Sequence, residues 1–161
     1  MTVDETSPAM PAREADTAVV PLPSTPVLFF DGNCGFCDRA IRFAMSRDVH
    51  GRLYAATLTG PTARHALAPF EAQLQGVDST VLYFPPADGR SADVQLHSDA
   101  ALSVLRLLGG VWGAVGLLGL IVPRWLRDAA YRAFARRRFR FFGQVEACQL
   151  WPPAWRARIL P

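Results

Sequence analysis

Short apolar runs alternate along the chain with stretches whose apolar residues recur at helical spacing. The first run, Val27–Phe30, ends at Asp31-Gly32-Asn33 and predicts a buried strand followed by a turn. Residues 38–47 then carry apolar side chains at the spacing of one helix face, which predicts an amphipathic helix. A strand, a turn and a helix are therefore the first predicted elements.

The same alternation continues through the middle of the chain. Further elements follow in order: a strand at 52–56, a helix over 62–75 interrupted near Pro69, a strand at 79–84, a turn at 87–90 and a strand at 93–96 that closes a hairpin. Ser98 is then predicted as the N-cap of the next helix, with Asp99 in its first turn, because both residue types favour helix starts. This succession is compatible with a small central sheet covered by helices.

The segment 105–122 is strongly apolar and rich in glycine. A membrane-spanning helix needs about 20 mainly apolar residues, whereas roughly sixteen lie between Arg106 and Pro123. We therefore predict a buried helix pair that is broken at Gly109-Gly110. Glycines three positions apart, at 113, 116 and 119, would let another element approach closely.

The next segment, 124–140, is basic and carries seven arginines against one acid, Asp128, with aromatic residues interleaved. Such a pattern is typical of a solvated helix face whose aromatic side chains enter the core, and this is our prediction. The alternative is peripheral contact with an anionic membrane through residues 105–142, since the apolar and basic segments adjoin. Nucleic-acid binding is not predicted, because no recognised module accompanies the charge.

Composition bounds the remaining possibilities. With 161 residues, half of them hydrophobic, the chain can bury one core, and we predict a single domain over residues 26–161. Residues 1–25 are rich in Pro, Thr, Ala and Ser without a sustained apolar run, which predicts a disordered tail, no secretory signal and a cytoplasmic location. Residues 151–161 are expected to form an irregular tail that packs its tryptophans.

Cys34 and Cys37 follow the predicted strand and turn directly, at the expected start of the helix. Backbone N–H groups at a helix N-terminus stabilise negative charge, so Cys34 should ionise more easily than a free thiol. We therefore expect Cys34 to be exposed and to attack a disulfide. Cys37, one helical turn later, is expected to resolve the mixed disulfide that forms.

Asp31 has two interpretations. Its carboxylate could cap the following helix, which is the commoner role of Asp in such a turn. Alternatively, its place at the carboxyl end of a buried strand suits it to moving the proton of Cys37 during resolution. The two roles are compatible, and Asp31 joins Cys34 and Cys37 as a candidate catalytic residue.

Paired cysteines also occur as half of a zinc site, which needs four ligands. The other ligand candidates, Cys148, His50, His65 and His97, lack zinc-site spacing, so no metal site is predicted. A structural disulfide is not expected either, because so short a loop constrains the unfolded chain very little. Cys148 is interpreted as a buried apolar residue, with a second resolving thiol as the alternative.

Residues 29–37, which read Phe-Phe-Asp-Gly-Asn-Cys-Gly-Phe-Cys, resemble the signature of the DCC family of thiol-disulfide oxidoreductases, named for its Asp-Cys-Cys pattern. Residues 96–102 are similar to the Ser-Asp-Ala segment of this family, and residues 121–128 to its Pro-Arg region. The basic and aromatic stretch 131–143 also fits. The resemblance thus extends over about residues 26–150, nearly the whole chain after the amino-terminal tail.

The resemblance implies a thioredoxin-like α/β fold, with a small central mixed sheet flanked by helices and extra C-terminal helices, and protein-disulfide reductase activity. Unlike thioredoxin itself, the chain has no proline between the cysteines and none at 77–79, before the third predicted strand. The predicted function is a thiol-disulfide oxidoreductase that needs no bound cofactor, only a protein or small-molecule disulfide and a redox partner. The alternative is a non-catalytic thioredoxin-like module that binds a membrane surface or a partner protein.

Overall fold

The computed structural model describes residues 21–77, 80–143 and 151–161, and only the backbone at 139, 141 and 142. The strands are β1 (Val27–Phe30), β2 (Tyr54–Thr57), β3 (Val81–Phe84), β4 (Asp93–Leu96) and β5 (Ile159–Leu160). The helices are α1 (Gly35–Arg47), α2 (Pro61–Leu67), α3 (Glu71–Leu74), α4 (His97–Leu108), α5 (Gly110–Gly119), α6 (Arg124–Phe142) and α7 (Pro153–Arg156), with a 3₁₀ turn at Ala68–Phe70 between α2 and α3. Most of the predicted tail, residues 1–20, lies outside these ranges.

The five strands form one mixed sheet in the order β4-β3-β1-β2-β5. β1 pairs with β2 in parallel across the α1 crossover, and with β3 in antiparallel fashion. β3 and β4 form the predicted hairpin, which leads directly into α4. This arrangement confirms the predicted α/β class and is consistent with a thioredoxin-like fold.

Helices cover both faces of the sheet, and β1 is therefore buried on both sides. Leu28 and Phe30 belong to a core cluster that includes residues of α1 and α4. Val27 and Phe29 point the other way, into a cluster with α2. Side chains of a strand alternate between its two faces, so a four-residue apolar run can supply both layers.

The start of α4 differs from the prediction, since Ser98 is not the N-cap. The helix begins at His97, where φ is +53°, and Leu96 holds the N-cap position without a side-chain bond. The hydroxyl of Ser98 instead donates to the carboxylate of Asp128 in α6, and the backbone N–H of Ser98 also bonds this carboxylate. A carboxylate from another helix thus replaces the local cap, and the prediction was wrong because this partner lies far away in sequence.

Asp128 and its neighbours join the start of α4 to the start of α6. The Nη1 atom of Arg127 lies 2.9 Å from an Oδ1 atom of Asp99, and the Nε atom of Arg124 lies 3.0 Å from the Oδ2 atom. Burial raises the pKa of Asp128, but the bonds from Ser98 and the charge of Arg124 outweigh it, so its pKa lies below 3.8. This polar cluster holds the amino end of α6 against the amino end of α4.

The glycine-rich segment forms the predicted pair of helices, α4 and α5, broken at Gly109 and Gly110 with φ values of +70° and +53°. A Cβ atom on Gly116 would lie 2.8 Å from the backbone oxygen of Leu102, so the close approach predicted for these glycines is confirmed there. The prediction that both helices are buried is wrong for α5. Its glycine edge contacts α4, but among the described residues nothing covers the opposite side, and Val111 is 71% exposed.

The last residues, 151–161, are more ordered than predicted. Trp151 packs edge-to-face on Phe30 with ring centroids 6.1 Å apart, as expected for a tail that packs its tryptophans. The chain then adds β5 in parallel to β2, and Arg158 places its Nη1 atom 2.5 Å from the buried Oδ2 atom of Asp48. A two-residue strand carries too little pattern for sequence-based recognition, so the irregular-tail prediction was wrong.

Candidate functional site

The two cysteines lie where β1 gives way to α1. Cys34 is the N-cap residue of α1, and Cys37 lies in the first helical turn, as the sequence predicts. The Sγ atom of Cys34 accepts the backbone N–H of Cys37 at a distance of 3.3 Å. A sulfur in this position takes the place that a serine or aspartate oxygen usually holds at a helix start. Negative charge on Cys34 is therefore stabilised by a helical amide.

Cys37 is held in its protonated form. Burial, the hydrogen bond of its thiol to Cys34 and the proximity of negative charge on Cys34 raise the pKa of Cys37 from 9.0 to about 12. The positive charge of Arg138 acts in the opposite direction on this pKa, and Asp31 adds to the rise. Near neutral pH Cys37 therefore keeps its proton, and Cys34 is the sulfur that accepts a helical N–H.

Both thiols are free and both are buried. Cys34 is 1% exposed and Cys37 is 3% exposed, so the expectation of an exposed first sulfur is wrong. The physical reason is tertiary, because the carboxyl-terminal half of α6 lies against the amino end of α1. The backbone N–H of Gly35 donates to the carbonyl of Gly143 over 3.4 Å, directly beside Cys34.

Asp31 fixes the turn before the pair. Its Oδ1 atom accepts the N–H of Asn33 at 2.9 Å, and its carbonyl accepts the N–H of Cys34 at 3.3 Å. Its Oδ2 atom lies 3.5 Å from an Nη2 atom of Arg138. Asp31 is therefore a turn residue but not the cap of α1, because Cys34 takes that position. Its role in proton transfer stays a prediction.

Arg138 belongs to this site and was missed by the sequence reasoning, which assigned its segment to a solvated face. Its side chain is 5% exposed, whereas the neighbouring Arg136, Arg137 and Arg140 are exposed. The one signal for Arg138 is helical spacing, since it follows Tyr131 by seven positions and Tyr131 also faces inward. Arg138 supplies a fixed positive charge beside Asp31 and the cysteine pair.

An apolar cavity of about 300 Å³ lies between α1, α4 and α6. Phe36, which lies between the cysteines in sequence, forms one wall, and Phe134 and Tyr131 of α6 form another. His97 also lines the cavity and packs edge-to-face on Tyr131, with ring centroids 5.6 Å apart. The side chain of Phe36 therefore connects the redox motif to this space.

Metal ligands, a membrane span and Cys148 were also considered in the sequence. Within residues 21–77, 80–143 and 151–161, no three side chains of His, Cys, Asp or Glu are grouped to hold a metal ion. The same ranges contain no helix with the length and hydropathy that crossing a membrane requires. Cys148 lies outside the described residues, so its predicted role stays a prediction.

Comparisons with known proteins show the family of the chain. Residues 28–144 match the family model described as DCC1-like thiol-disulfide oxidoreductase. A Bacillus subtilis (strain 168) protein, YuxK, described as uncharacterized, is 33% identical over 135 residues, which cover 84% of this chain and 93% of that protein. A DCC family protein of Arabidopsis thaliana, described as chloroplastic, is 22% identical over 125 residues, covering 78% of this chain and 69% of that protein. No solved structure is significantly similar to the chain.

Proposed function

Because the chain belongs to the DCC1-like thiol-disulfide oxidoreductase family, we propose that it reduces disulfides of proteins with Cys34 as nucleophile and Cys37 as resolving thiol. The observation that carries this proposal is the unequal environment of the two sulfurs. Cys34 accepts a helical N–H, whereas the pKa of Cys37 is raised to about 12. Cys37 thus keeps its proton near neutral pH, whereas Cys34 is the sulfur that a helical amide contacts.

In the first step, the thiolate of Cys34 attacks one sulfur of the substrate disulfide. A new sulfur–sulfur bond forms between Cys34 and the substrate, and the substrate bond breaks. The departing sulfur leaves as a thiolate and takes a proton from solvent. The N–H groups of the first turn of α1 stabilise the charge on Cys34 until it is transferred.

In the second step, Cys37 loses its proton and attacks the Sγ atom of Cys34. The substrate's second sulfur leaves, and a Cys34–Cys37 disulfide remains. Two electrons have then passed from the pair to the substrate. Asp31 is the proposed proton acceptor, since it lies at the turn before Cys34 and influences the pKa of Cys37. Arg138 supports this step, because its charge favours a thiolate at Cys37.

The oxidised pair must be returned to its dithiol form by a separate reductant, whose chemical class is a low-potential dithiol. This cycle uses no bound cofactor. A reducing compartment such as the cytoplasm, where thiols are kept reduced, stays the predicted location.

The test is the reduction of insulin with dithiothreitol as electron donor. We expect the wild-type chain and a Cys148→Ser variant to accelerate the reaction, and Cys34→Ser to give the rate of dithiothreitol alone. In the Cys148→Ser background, Cys37→Ser should accumulate a mixed disulfide between Cys34 and the substrate, seen as an added mass. Equal rates for the wild-type chain and Cys34→Ser would contradict the proposal, and a mixed disulfide accumulating on Cys37 would reverse the assigned roles.

A further inference from the structure

We propose that the chain docks on the surface of an anionic lipid bilayer through α5, the α5–α6 turn and the exposed side of α6. The apolar part of this docking face consists of residues of α5, of the turn and of the first turn of α6 that point away from the protein, chiefly Val111, Leu118, Ile121 and Trp125. The basic part consists of the exposed arginines of α6. This inference does not depend on the redox chemistry of the cysteines.

The apolar part is concentrated rather than scattered. Eleven large apolar side chains are exposed in the described residues, and all but Val49 and Phe134 lie between positions 111 and 126. Leu118 is 62% exposed, Ile121 78% and Trp125 72%. Single exposed apolar residues are common on soluble proteins, but a contiguous patch of this kind marks an interaction surface.

Packing explains why these side chains point outward. Gly116 is the buried residue of α5, and it sits directly against Leu102 and Arg106 of α4. The glycine side of α5 therefore packs against α4, and the leucines and valines of α5 lie on the opposite, exposed side. A soluble surface helix normally shows the reverse arrangement, with its large apolar residues turned inward.

The charge pattern favours an anionic occupant. Positions 125, 129, 132, 136 and 140 of α6 share one exposed side by helical spacing, which places Trp125 in line with Arg132, Arg136 and Arg140. Between residues 110 and 143 the sequence has one acid, Asp128, and that carboxylate is engaged by Ser98 and Arg124. An exposed basic row without acids attracts an anionic surface.

Trp125 and the helix lengths favour a bilayer over a protein groove. A helix that lies in a membrane interface combines a wide apolar face with arginines and with Trp at the boundary. Trp125 lies between the apolar turn and the basic row. Since neither α5 nor α6 is long and apolar enough to cross a bilayer, docking on its surface is the arrangement that these helices allow.

The experiment uses the full chain with vesicles made of equal parts of phosphatidylcholine and phosphatidylglycerol, compared with pure phosphatidylcholine. We expect co-sedimentation with the anionic vesicles at low salt, weakened by added salt because surface charges are screened. Tryptophan emission should move to shorter wavelength on binding, and Trp125→Phe should reduce that shift.

Matched variants separate the docking face from the rest of the surface. Ile121→Glu should weaken binding about ten-fold or more, since it removes a buried isoleucine in the bound state. Val49→Glu is its control, because Val49 is 80% exposed and lies outside the docking face. Arg132→Gln with Arg136→Gln should weaken binding about five-fold for each charge removed. Arg52→Gln with Arg90→Gln is the control for exposed charge elsewhere.

Three results would overturn the inference. The first is no sedimentation with anionic vesicles at low salt. The second is equal losses for the control and docking-face variants, which indicates non-specific attraction. The third is a stable dimer of the wild-type chain, in the absence of vesicles, that Ile121→Glu dissociates, since a second copy would then occupy the face.

Discussion

Phe36 packs edge-to-face against Phe134 of α6, with ring centroids 4.6 Å apart and ring planes at 72°. Phe36 lies between Cys34 and Cys37 in sequence, so this contact ties α6 directly to the redox motif. Together with the bond from Gly35 to Gly143, it explains why both thiols are buried although they begin a helix. Because Cys34 is 1% exposed, we expect the end of α6 to move before a substrate disulfide reaches this sulfur.

Phe134→Ala should make the cysteine pair more accessible. An aromatic pair of this geometry contributes up to about 1.5 kcal/mol, so we expect alkylation of the pair by iodoacetamide to become roughly ten-fold faster. Mass spectrometry of the modified peptide gives the rate. Trp112→Ala is the control, because Trp112 packs on Phe43 with ring centroids 4.8 Å apart, in a similar pair that includes no residue of α6 and none between the cysteines. Equal acceleration in both variants would show general destabilisation and not release of α6.

Arg138→Met should slow the resolution step. Without the guanidinium, the pKa of Cys37 rises further, because Arg138 lowers it in the wild-type chain. The mixed disulfide on Cys34 should therefore live longer in quenched-reaction time courses, and Arg138→Lys should restore part of the rate. Arg137→Met serves as control, since Arg137 is exposed on the same helix. A mixed disulfide of unchanged lifetime in Arg138→Met would contradict an electrostatic role.

Local sequence signals were sufficient for the first half of the fold. The apolar run of β1, the turn at Asp31 and the helical spacing after it placed Cys34 at the start of α1, where the structure has it. The hairpin strand at Asp93–Leu96 was also predicted with its observed bounds, because turn residues precede it. In these segments, the determining contacts lie within a few residues of each other.

The missed features depend on contacts between distant segments. Ser98 gave a strong N-cap signal, but the carboxylate that bonds it comes from Asp128, 30 residues later. Arg138 and Asp31 are 107 residues apart, so no local pattern connects them. The burial of Cys34 has the same origin, since it follows from where α6 docks. The basic and aromatic pattern of residues 124–140 indicates a helix, but it does not specify that this helix packs on the amino end of α1.

The pKa of Cys37 should fall in a Cys34→Ala variant. This change removes the hydrogen bond to Cys34 and the charge on Cys34, while burial, the largest cause, remains. The pKa should therefore lie below about 12 but still above 9.0. The ultraviolet absorbance of the thiolate, followed during an alkaline titration, reports the value. A pKa that stays near 12 would show that burial alone accounts for the shift.

The same proton makes stability depend on pH. Because the pKa of Cys37 is raised in the folded chain, protonated Cys37 contributes to the free energy of unfolding. This contribution is complete below pH 9.0 and is lost as pH rises towards about 12. The free energy of unfolding should fall by at most about 1.4 kcal/mol per pH unit in this window. Cys37→Ser should have a smaller slope. Burial also raises the pKa of Tyr83, so Tyr83→Phe is needed to separate the two contributions.

Gly116→Ala and Gly113→Ala should change stability in opposite directions. Both positions lie inside α5, so alanine brings the same gain in helix propensity, about 1 kcal/mol. A Cβ atom at position 113 would meet its nearest neighbour, the backbone oxygen of Arg106, at 3.7 Å, which is an ordinary contact. At position 116 it would lie 2.8 Å from the backbone oxygen of Leu102 and from the side chain of Arg106. Because a backbone atom cannot shift as easily as the end of a flexible side chain, Gly116→Ala would force α5 away from α4.

We expect Gly113→Ala to stabilise the chain and Gly116→Ala to destabilise it by about 1–3 kcal/mol, as found for overpacked interiors. Urea unfolding of both variants and of the wild-type chain gives their free energies of unfolding. The gain in helix propensity is the same in both variants, so it cancels when the two are compared. Equal stability of the two variants would mean that α5 does not pack on α4 through its glycine edge. In that case its large apolar residues could turn inward, and the outward-facing surface from Val111 to Trp125 would lose its structural basis.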